Sequence, residues 1–241
     1  MAISQSGKTV GEYVKEKPAL SKVFESYGID YCCGGKRPLL EVCQDKELSM
    51  DDVIQALEQV AESAGACEDL DWQTTTVPQM INHIYSHHHR YLYEAMPRLS
   101  QMVNKVARVH GQKDPRLAEL AASFDKLQDE LIHHMQKEEQ VLFPLCRQLA
   151  EAQTLPRFHC GPIINPIQVM EIEHEQAGAL LTRMHTLTDG FTPPEWACNT
   201  YRAMLDGLAE MERDIHQHIH EENNILFPKA LQMASTLEKS V

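Results

Sequence analysis

The sequence predicts an all-α protein in which a small helical N-terminal unit with two adjacent cysteines is followed by a four-helix bundle. Three observations support this prediction. Apolar residues recur every three or four positions along four long segments after residue 77, which is typical of amphipathic helices. One phrase of eleven residues, built around a histidine and a glutamate, occurs twice in these segments. A stretch without sustained periodicity, residues 63–77, is predicted to link them to residues 1–62.

The composition is that of a globular protein with a surplus of acidic residues. The 241 residues include 22 Lys and Arg against 35 Asp and Glu, a formal net charge of -13. This balance argues against nucleic acid or an anionic membrane as a partner. The sequence contains neither the roughly 20 apolar residues of a membrane span nor the apolar region of a signal peptide. Because the seven cysteines are odd in number and irregularly spaced, we expect reduced thiols in a cytoplasmic protein.

Residues 1–62 are expected to form the small helical unit. Helical spacing of apolar residues predicts one helix before Pro18 and a second that begins at it. Gly28 is suited to end the second helix, because glycine readily adopts positive φ. A third helix is predicted after Pro38 and a fourth from Ser49, which starts a capping-box-like sequence.

The adjacent cysteines of this unit, Cys32 and Cys33, precede two glycines and then Lys36 and Arg37. The glycines are expected to allow positive φ and a tight turn that exposes the thiols. The two basic side chains and the start of the next helix are expected to lower the thiol pKa. A redox or metal-passing role is therefore predicted for the pair, and the alternative is two small residues that pack a turn.

Four long helices are predicted from Pro78 onward. The first spans about 78–109, and the second opens near 114 and runs through the first copy of the phrase. The third spans about 166–188, and the fourth follows a turn and runs through the second copy. Helices of this length joined by short or moderate loops favour an up-down four-helix bundle.

The repeated phrase reads His-x-x-x-Glu-x-x-x-Leu-Phe-Pro. The first copy contributes His134 and Glu138, and the second contributes His218 and Glu222. Because side chains four residues apart lie on the same face of a helix, each pair can bind one metal ion. The proline that closes each copy is expected to bend or stop its helix.

A lone histidine precedes each copy at nearly the same distance, His89 by 45 positions and His174 by 44. We therefore interpret the bundle as two helical hairpins with three ligands each. The apolar stripes turn the phrase residues and His174 toward the core. Four neighbouring residues fall on a flank or at the surface by the same criterion: His133, Glu139, His216 and His220.

The first helix contains three consecutive histidines, and periodicity alone allows either His88 or His89 to face inward. The repeat favours His89, which lies 85 positions before His174, since His134 and His218 are 84 positions apart. His88 is the alternative.

Four histidines and two glutamates result as predicted metal ligands: His89, His134, Glu138, His174, His218 and Glu222. Two glutamates that face a core without a cation would be costly. Imidazole and carboxylate donors without thiolate suit iron or manganese better than structural zinc. Two ions can share the six ligands if both glutamates act as bridges. Each ion then keeps coordination positions open for oxygen, nitric oxide, or an oxo or hydroxo bridge. We therefore predict a non-haem di-iron centre.

These phrases resemble sequences of a known family. So does the segment ahead of them, Asp30-Tyr31-Cys32-Cys33-Gly34-Gly35-Lys36. The bundle is similar to hemerythrin-like domains, and the whole chain resembles the repair-of-iron-centres family, also called YtfE, ScdA or DnrN. The resemblance implies a cytoplasmic di-iron protein that restores iron-sulfur clusters damaged by nitric oxide or peroxide, by supplying iron. Its implied partners are damaged iron-sulfur proteins or cluster scaffolds, with nitric oxide or oxygen as small ligands.

Two further glutamates lie close to predicted ligands: Glu130 one turn before His134, and Glu173 next to His174. They are candidates to accept a hydrogen bond from a ligand histidine or to relay a departing ion, and the alternative is a solvated helix face. The ligands alone also allow two other functions, a di-iron nitric oxide reductase and a sensor of nitric oxide or oxygen. Whether the chain forms a homodimer stays open.

Overall fold

The computed structural model describes residues 7–63 and 71–239, which are helical apart from turns, loops and an isolated bridge between Thr9 and Pro38. The predicted all-α class is confirmed. The helices of the N-terminal unit are α1 (Val10–Glu16), a 3-10 turn (Pro18–Leu20), α2 (Ser21–Ser26), α3 (Leu39–Asp45) and α4 (Met50–Ser63). Within the two described ranges, no helix combines the length and the apolar character that a membrane span requires.

The N-terminal helices pack around an aromatic core. Tyr13, Phe24 and Tyr31 are at most 2% exposed, and the ring centroids of Tyr13 and Phe24 lie 6.2 Å apart in an edge-to-face arrangement. Gly28 follows α2 with a φ of 61°, and the next N–H, of Ile29, donates to the Phe24 carbonyl at 2.8 Å. The predicted stop at this glycine is therefore confirmed, since positive φ turns the chain out of the helix.

Four long helices form the bundle, and a π-turn interrupts three of them. Their segments are α5 (Val77–Ile84), α6 (Arg90–His110), α7 (Arg116–Lys137), α8 (Phe143–Glu151), α9 (Ile164–Leu187), α10 (Asn199–Glu221) and α11 (Phe227–Lys239). The π-turns are Tyr85–His89, Glu138–Leu142 and Glu222–Leu226. Helix α6 packs against α7 and α10, and α7 packs against α9. The four predicted helical segments are confirmed to within a few residues.

Neither proline that closes a phrase ends its helix, so that part of the prediction was wrong. Pro144 is the second residue of α8 and Pro228 the second of α11, and both helices continue beyond them. In the π-turn before each proline, the N–H of the preceding phenylalanine donates to a carbonyl five residues back, that of Glu138 or Glu222. Because proline lacks an N–H and crowds the preceding turn, the wider π-turn absorbs a disruption that would otherwise end the helix.

Two apolar cores lie along the bundle, and the predicted ligands lie between them. One core includes Leu92, Leu131 and Leu208 and is continuous with the core of the N-terminal unit. The other includes Leu142 and Leu226 and fills the opposite end of the bundle. The ligand residues follow one core and precede the other in the sequence, so they form a buried polar layer across the bundle.

The N-terminal unit contacts the bundle next to the third π-turn. The amide nitrogen of Asn224 donates to the Cys32 carbonyl at 3.0 Å, and Nδ1 of His220 lies 3.2 Å from the Tyr31 carbonyl oxygen. His220 is 1% exposed, so its predicted place at a flank or at the surface was wrong. The N-terminal unit covers it, which the periodicity of its own helix could not show. His216, also predicted there, is half-buried, and its ring centroid lies 6.2 Å from that of Tyr31.

The predicted linker, residues 63–77, falls partly outside the described residues, which omit 64–70. In its described part Trp72 is 7% exposed, and its ring centroid lies 5.3 Å from that of His83. The division of the chain at residues 62 and 77 stays a prediction.

Candidate metal centre

The six predicted ligands meet in the polar layer of the bundle. Their exposed fractions range from 0 to 4%, so the inward orientation predicted from the apolar stripes is confirmed. His89 closes the first π-turn, while Glu138 and Glu222 open the second and third. His174 lies in the middle of α9, and the other two histidines lie in the last turns of α7 and α10.

The donor atoms form two groups that share both glutamates. One group contains His89 and His218 and the other His134 and His174, each with Glu138 and Glu222, and within a group the donor atoms lie within 4.8 Å of one another. Oε2 of Glu138 lies 3.3 Å from Nε2 of His89, and its Oε1 lies 3.4 Å from Nε2 of His134.

Glu222 spans the two groups in the same way. Its Oε1 lies 3.4 Å from Nε2 of His218, and its Oε2 lies 3.1 Å from Nε2 of His174. Each glutamate therefore directs one oxygen to each group, which is the arrangement of a carboxylate that bridges two cations. Donor atoms bound at about 2.1 Å lie ~3.0 to 3.4 Å apart for right-angled to tetrahedral geometry, and the observed separations fall in this interval.

The hydrogen-bond pattern fits cations at these positions. All four carboxylate oxygens of Glu138 and Glu222, and Nε2 of His89 and His218, are buried without a hydrogen-bond partner. Buried polar atoms are rarely left unpartnered, and two buried carboxylates are costly unless cations offset them. Nitrogen and carboxylate oxygen donors without thiolate suit iron and manganese. The residues present therefore fit a pair of iron ions.

Three of the four histidines are oriented through Nδ1 by a neighbouring side chain. Nδ1 of His89 donates to Glu139 at 2.8 Å, and Nδ1 of His134 donates to Glu173 at 2.9 Å. Nδ1 of His174 lies 2.9 Å from the amide oxygen of Asn223. Such contacts fix the tautomer and leave the Nε2 lone pair for a cation.

Sequence reasoning missed two of these supporting residues, Glu139 and Asn223. Each directly follows the ligand glutamate of its phrase and orients the lone histidine of the same hairpin, His89 or His174. The signal was present in the sequence, because the polar residue after the glutamate is repeated in both phrases. The contact of Glu173 with His134 is one of the alternatives predicted for that residue. Glu130 makes no hydrogen bond to a ligand.

Electrostatics favour ionised carboxylates in the centre. Burial and the charge of Glu222 would raise the pKa of Glu138, but His134 and His89 hold the pKa below its ordinary value. Burial would lower the pKa of His134, but the charge of Glu138 and the hydrogen bond to Glu173 raise it. Burial would also raise the pKa of Glu222, but His174 and His134 hold it below its ordinary value. Both glutamates are therefore favoured as anions, and the centre attracts cations.

One half of the centre opens to a cavity. Glu130, His134, Glu173 and His174 line this cavity, which has a volume of about 200 Å³. Glu173 also forms an ion pair with Lys137 at its mouth. Of the two halves, the one with His134 and His174 therefore borders this cavity, and Glu130 and Glu173 line the cavity with it.

The three consecutive histidines divide between two places. His89 joins the centre, as predicted, whereas His88 is 5% exposed and faces Asp214 and Glu221. Both histidines are buried because they lie in a π-turn, whose wider spiral turns adjacent residues to the interior. This explains why periodicity could not separate them.

The predicted exposure of the cysteine thiols was wrong for Cys32, which is 6% exposed, whereas Cys33 is half-buried. The following glycines do not have positive φ. A Cβ on Gly35 would lie 2.5 Å from the Tyr31 carbonyl oxygen and 2.6 Å from Oδ1 of Asn224, so close approach is what requires glycine here.

The predicted activation of the thiols was also wrong for Cys32. A hydrogen bond with Cys33, together with burial and the carboxylate of Asp30, raises the pKa of the Cys32 thiol well above its ordinary value. Lys36 and Arg37 do not offset this, because they pair with Glu171 and Asp45. The Sγ of Cys32 lies 3.2 Å from Oδ1 of Asp30 and can donate its proton there.

Comparison with known proteins gives matches to both parts of the chain. Residues 80–230 match the hemerythrin HHE cation binding domain, and residues 6–61 match the N-terminal domain of ScdA, a domain of unknown function (DUF542). A relative from Enterobacter sp. (strain 638), called iron-sulfur cluster repair protein YtfE, is 40% identical over 222 residues, which are 92% of this chain and 96% of the relative. Proteins of the same name from Citrobacter koseri and Escherichia coli O81 are 39% and 38% identical over the same shares.

Proposed function

Because the chain belongs to the family of YtfE-type iron-sulfur cluster repair proteins, with a hemerythrin HHE cation binding domain, we propose that it restores damaged iron-sulfur clusters by supplying iron. The observation that supports this most is two buried groups of donor atoms that share both glutamates, one of which, the accessible half, borders a cavity. We assign the repair to clusters damaged by nitrosative or oxidative stress in the cytoplasm.

His89 and His218 would hold one ion and His134 and His174 the other, with Glu138 and Glu222 as bridges. Bound iron would supply redox-active cations with positions open to nitric oxide or oxygen. The protein would contribute the orientation of the imidazoles through Nδ1, the anionic bridges, and two apolar cores that keep bulk water from the buried half.

The ion that is delivered would come from the accessible half. Glu173 hydrogen-bonds to His134 and, with Glu130, lines the cavity beside His134 and His174. The Oε2 atom of Glu130 is buried without a hydrogen-bond partner, so it is free to accept a cation. We therefore assign to Glu130 and Glu173 the relay of iron between the centre and the surface.

The test is transfer of isotopically labelled iron. Protein loaded with ⁵⁷Fe is mixed with an iron-sulfur enzyme whose cluster nitric oxide has degraded, and recovered activity and the Mössbauer signal of the reformed cluster are measured. We expect faster recovery than with the same amount of free ferrous iron, and ⁵⁷Fe in the cluster. Recovery no faster than with free iron contradicts donation. Sustained formation of nitrous oxide with an electron donor would instead identify a nitric oxide reductase.

Substitution of Glu130 tests the relay. Glu130→Gln removes the carboxylate charge, which also pairs with Lys126 at 3.7 Å, without touching a ligand. We therefore expect unchanged iron content and severalfold slower transfer. Glu175→Gln is the matched control, because Glu175 is an exposed carboxylate two residues after Glu173. Equal transfer rates in the two variants would exclude Glu130 from the route.

Cys32 and Cys33 keep a proposed role in redox chemistry or iron transfer. Asp30, Cys32 and Cys33 place three possible donor atoms within 4.8 Å of one another, which supports a transient cation site better than a reactive thiolate. Normal repair by a variant in which both cysteines are replaced with serine would exclude this role.

A further inference from the structure

A second cluster of metal-ligating side chains lies beside the centre. His83, His88 and Glu221 place one donor atom each within 4.8 Å of one another. Nε2 of His83 lies 3.5 Å and Nε2 of His88 lies 3.4 Å from the same atom, Oε2 of Glu221. Ligand atoms of a tetrahedral ion with bonds of about 2.1 Å lie ~3.4 Å apart, so both distances match those around a single ion.

Two of the three donor atoms of this cluster are free for an ion. Nε2 of His88 and Oε2 of Glu221 are buried without a hydrogen-bond partner. The side chains that bear them are 5% and 3% exposed. An unpartnered imidazole nitrogen that faces an unpartnered carboxylate oxygen in a buried position calls for a positive charge between them.

The remaining atoms of the same side chains are held in the orientation that metal ligands need. Nδ1 of His88 donates to Oδ1 of Asp214 at 2.9 Å, which directs the Nε2 lone pair toward Glu221. Oε1 of Glu221 accepts from the side-chain amide of Gln217 at 3.2 Å, which leaves Oε2 toward the histidines. His83 is packed between Trp72 and His87, with ring centroids at 5.3 and 4.0 Å.

We propose that His83, His88 and Glu221 form a third, mononuclear site for a divalent transition-metal ion, separate from the two groups that share Glu138 and Glu222. Two imidazoles and one carboxylate suit a borderline ion such as Zn²⁺ or Fe²⁺. Three protein ligands leave a fourth position open, and His83, whose side chain is 20% exposed, gives solvent access to it. The site adjoins the centre, since the ring of His88 stacks on that of His218 at 5.3 Å.

The test is titration of the metal-free protein with Co²⁺, which absorbs much more strongly in a four-coordinate than in a six-coordinate site. The wild type is expected to bind three Co²⁺ per chain, and His83→Gln is expected to bind two and to lose the visible band that the third ion adds to the spectrum. His83 is half-buried and its variant should fold, which circular dichroism checks. Glu221→Gln is the second variant and should lose the same band.

His87→Gln is the matched control, because His87 is exposed and stacks on His83 without belonging to the cluster. It should keep three Co²⁺ and the band. An equal stoichiometry and spectrum in wild type and His83→Gln would overturn the proposal, and His88 would then be a protonated partner of Asp214 and Glu221. The ion lost with His83 is counted independently of the other two, so failure here leaves the proposed repair function untouched.

Discussion

The orientation of the ligand histidines depends on single side chains that lie just outside the ligand set. Glu139 accepts from Nδ1 of His89 and also from the hydroxyl of Tyr93 at 3.2 Å. The amide oxygen of Asn223 lies beside Nδ1 of His174 in the same way. Because an imidazole can turn and exchange tautomers, a ligand without its Nδ1 partner binds a cation less tightly.

We therefore expect Glu139→Ala to lower the affinity for iron by about 10- to 100-fold, the usual effect of removing a residue that orients a ligand. Asn223→Ala should act in the same direction through His174. Competition with a chromogenic chelator measures the affinity. His133→Ala is the control, since His133 neighbours His134 but is exposed. If Glu139→Ala retains iron as well as this control, the hydrogen bond to His89 does not support binding.

Sequence periodicity predicted which residues face the core but not which chemical partner each would meet. It predicted the burial of His134 and Glu138 correctly, because a metal ligand obeys the same helical spacing as its apolar neighbours. A different argument failed for Cys32, where the basic residues nearby in the sequence suggested a thiolate. Lys36 and Arg37 instead pair with Glu171 and Asp45, and neither pairing leaves a periodic signal in the sequence.

The helices of the bundle were predictable as elements, while their π-turns were not. A π-turn widens one turn, and the hydrophobic spacing on either side stays close to that of an α-helix. The three π-turns contain or adjoin His89, Glu138 and Glu222, so the irregular turns supply half of the ligand set. The proline that closes each phrase indicated a disturbance of the helix at that point. The same signal fitted the end of a helix equally well.

The start of α7 offers a test of how the second bundle helix is held. The carboxylate of Asp114 accepts from the Arg116 backbone N–H at 3.1 Å and from its guanidinium at 3.0 and 2.9 Å. Since Asp114 is 7% exposed, we expect Asp114→Ala to lower the free energy of unfolding at neutral pH by about 1 to 3 kcal/mol. Asp189→Asn, which removes an exposed partner of Arg116, should cost less than about 1 kcal/mol. Equal losses would show that the contacts of Asp114 with Arg116 contribute nothing specific.

The same contact gives a pH dependence with a definite sign. Hydrogen bonds from the Arg116 side chain hold the pKa of Asp114 below its ordinary value. A carboxyl whose pKa is lower in the folded state stabilises the fold above its unfolded pKa, and this stability is lost as the pH falls. The difference between wild type and Asp114→Ala should therefore be constant near neutral pH and shrink below about pH 4, as urea unfolding at each pH would measure. A difference that grows on acidification would contradict the pairing.

At the scale of the whole molecule, the N-terminal unit and the metal centre meet at the third π-turn. Glu222 begins this turn and directs one carboxylate oxygen to each of the two donor groups, while Asn224, two residues later, contacts the cysteine turn. The sequence predicted both the cysteine unit and the bundle, but no local pattern could place one against the other. The contact between them requires a glycine at position 35, where a Cβ would collide with the Asn224 side chain.

This contact predicts how the two cysteines respond to loss of docking. Asn224→Ala removes the hydrogen bond to the Cys32 carbonyl and a weaker contact of 3.4 Å to that of Tyr31, so the cysteine turn should open and Cys32 should gain exposure. In the wild type, Cys33 should be alkylated before Cys32, and in Asn224→Ala the rate at Cys32 should rise severalfold, as mass mapping of the labelled peptides over time would show. Asn82→Ala is the control, because it removes an amide contact with Arg147 away from the cysteines. An unchanged rate at Cys32 in Asn224→Ala would mean that the turn is closed by its own Asp30 contacts, and the bundle would then have no part in protecting the thiol.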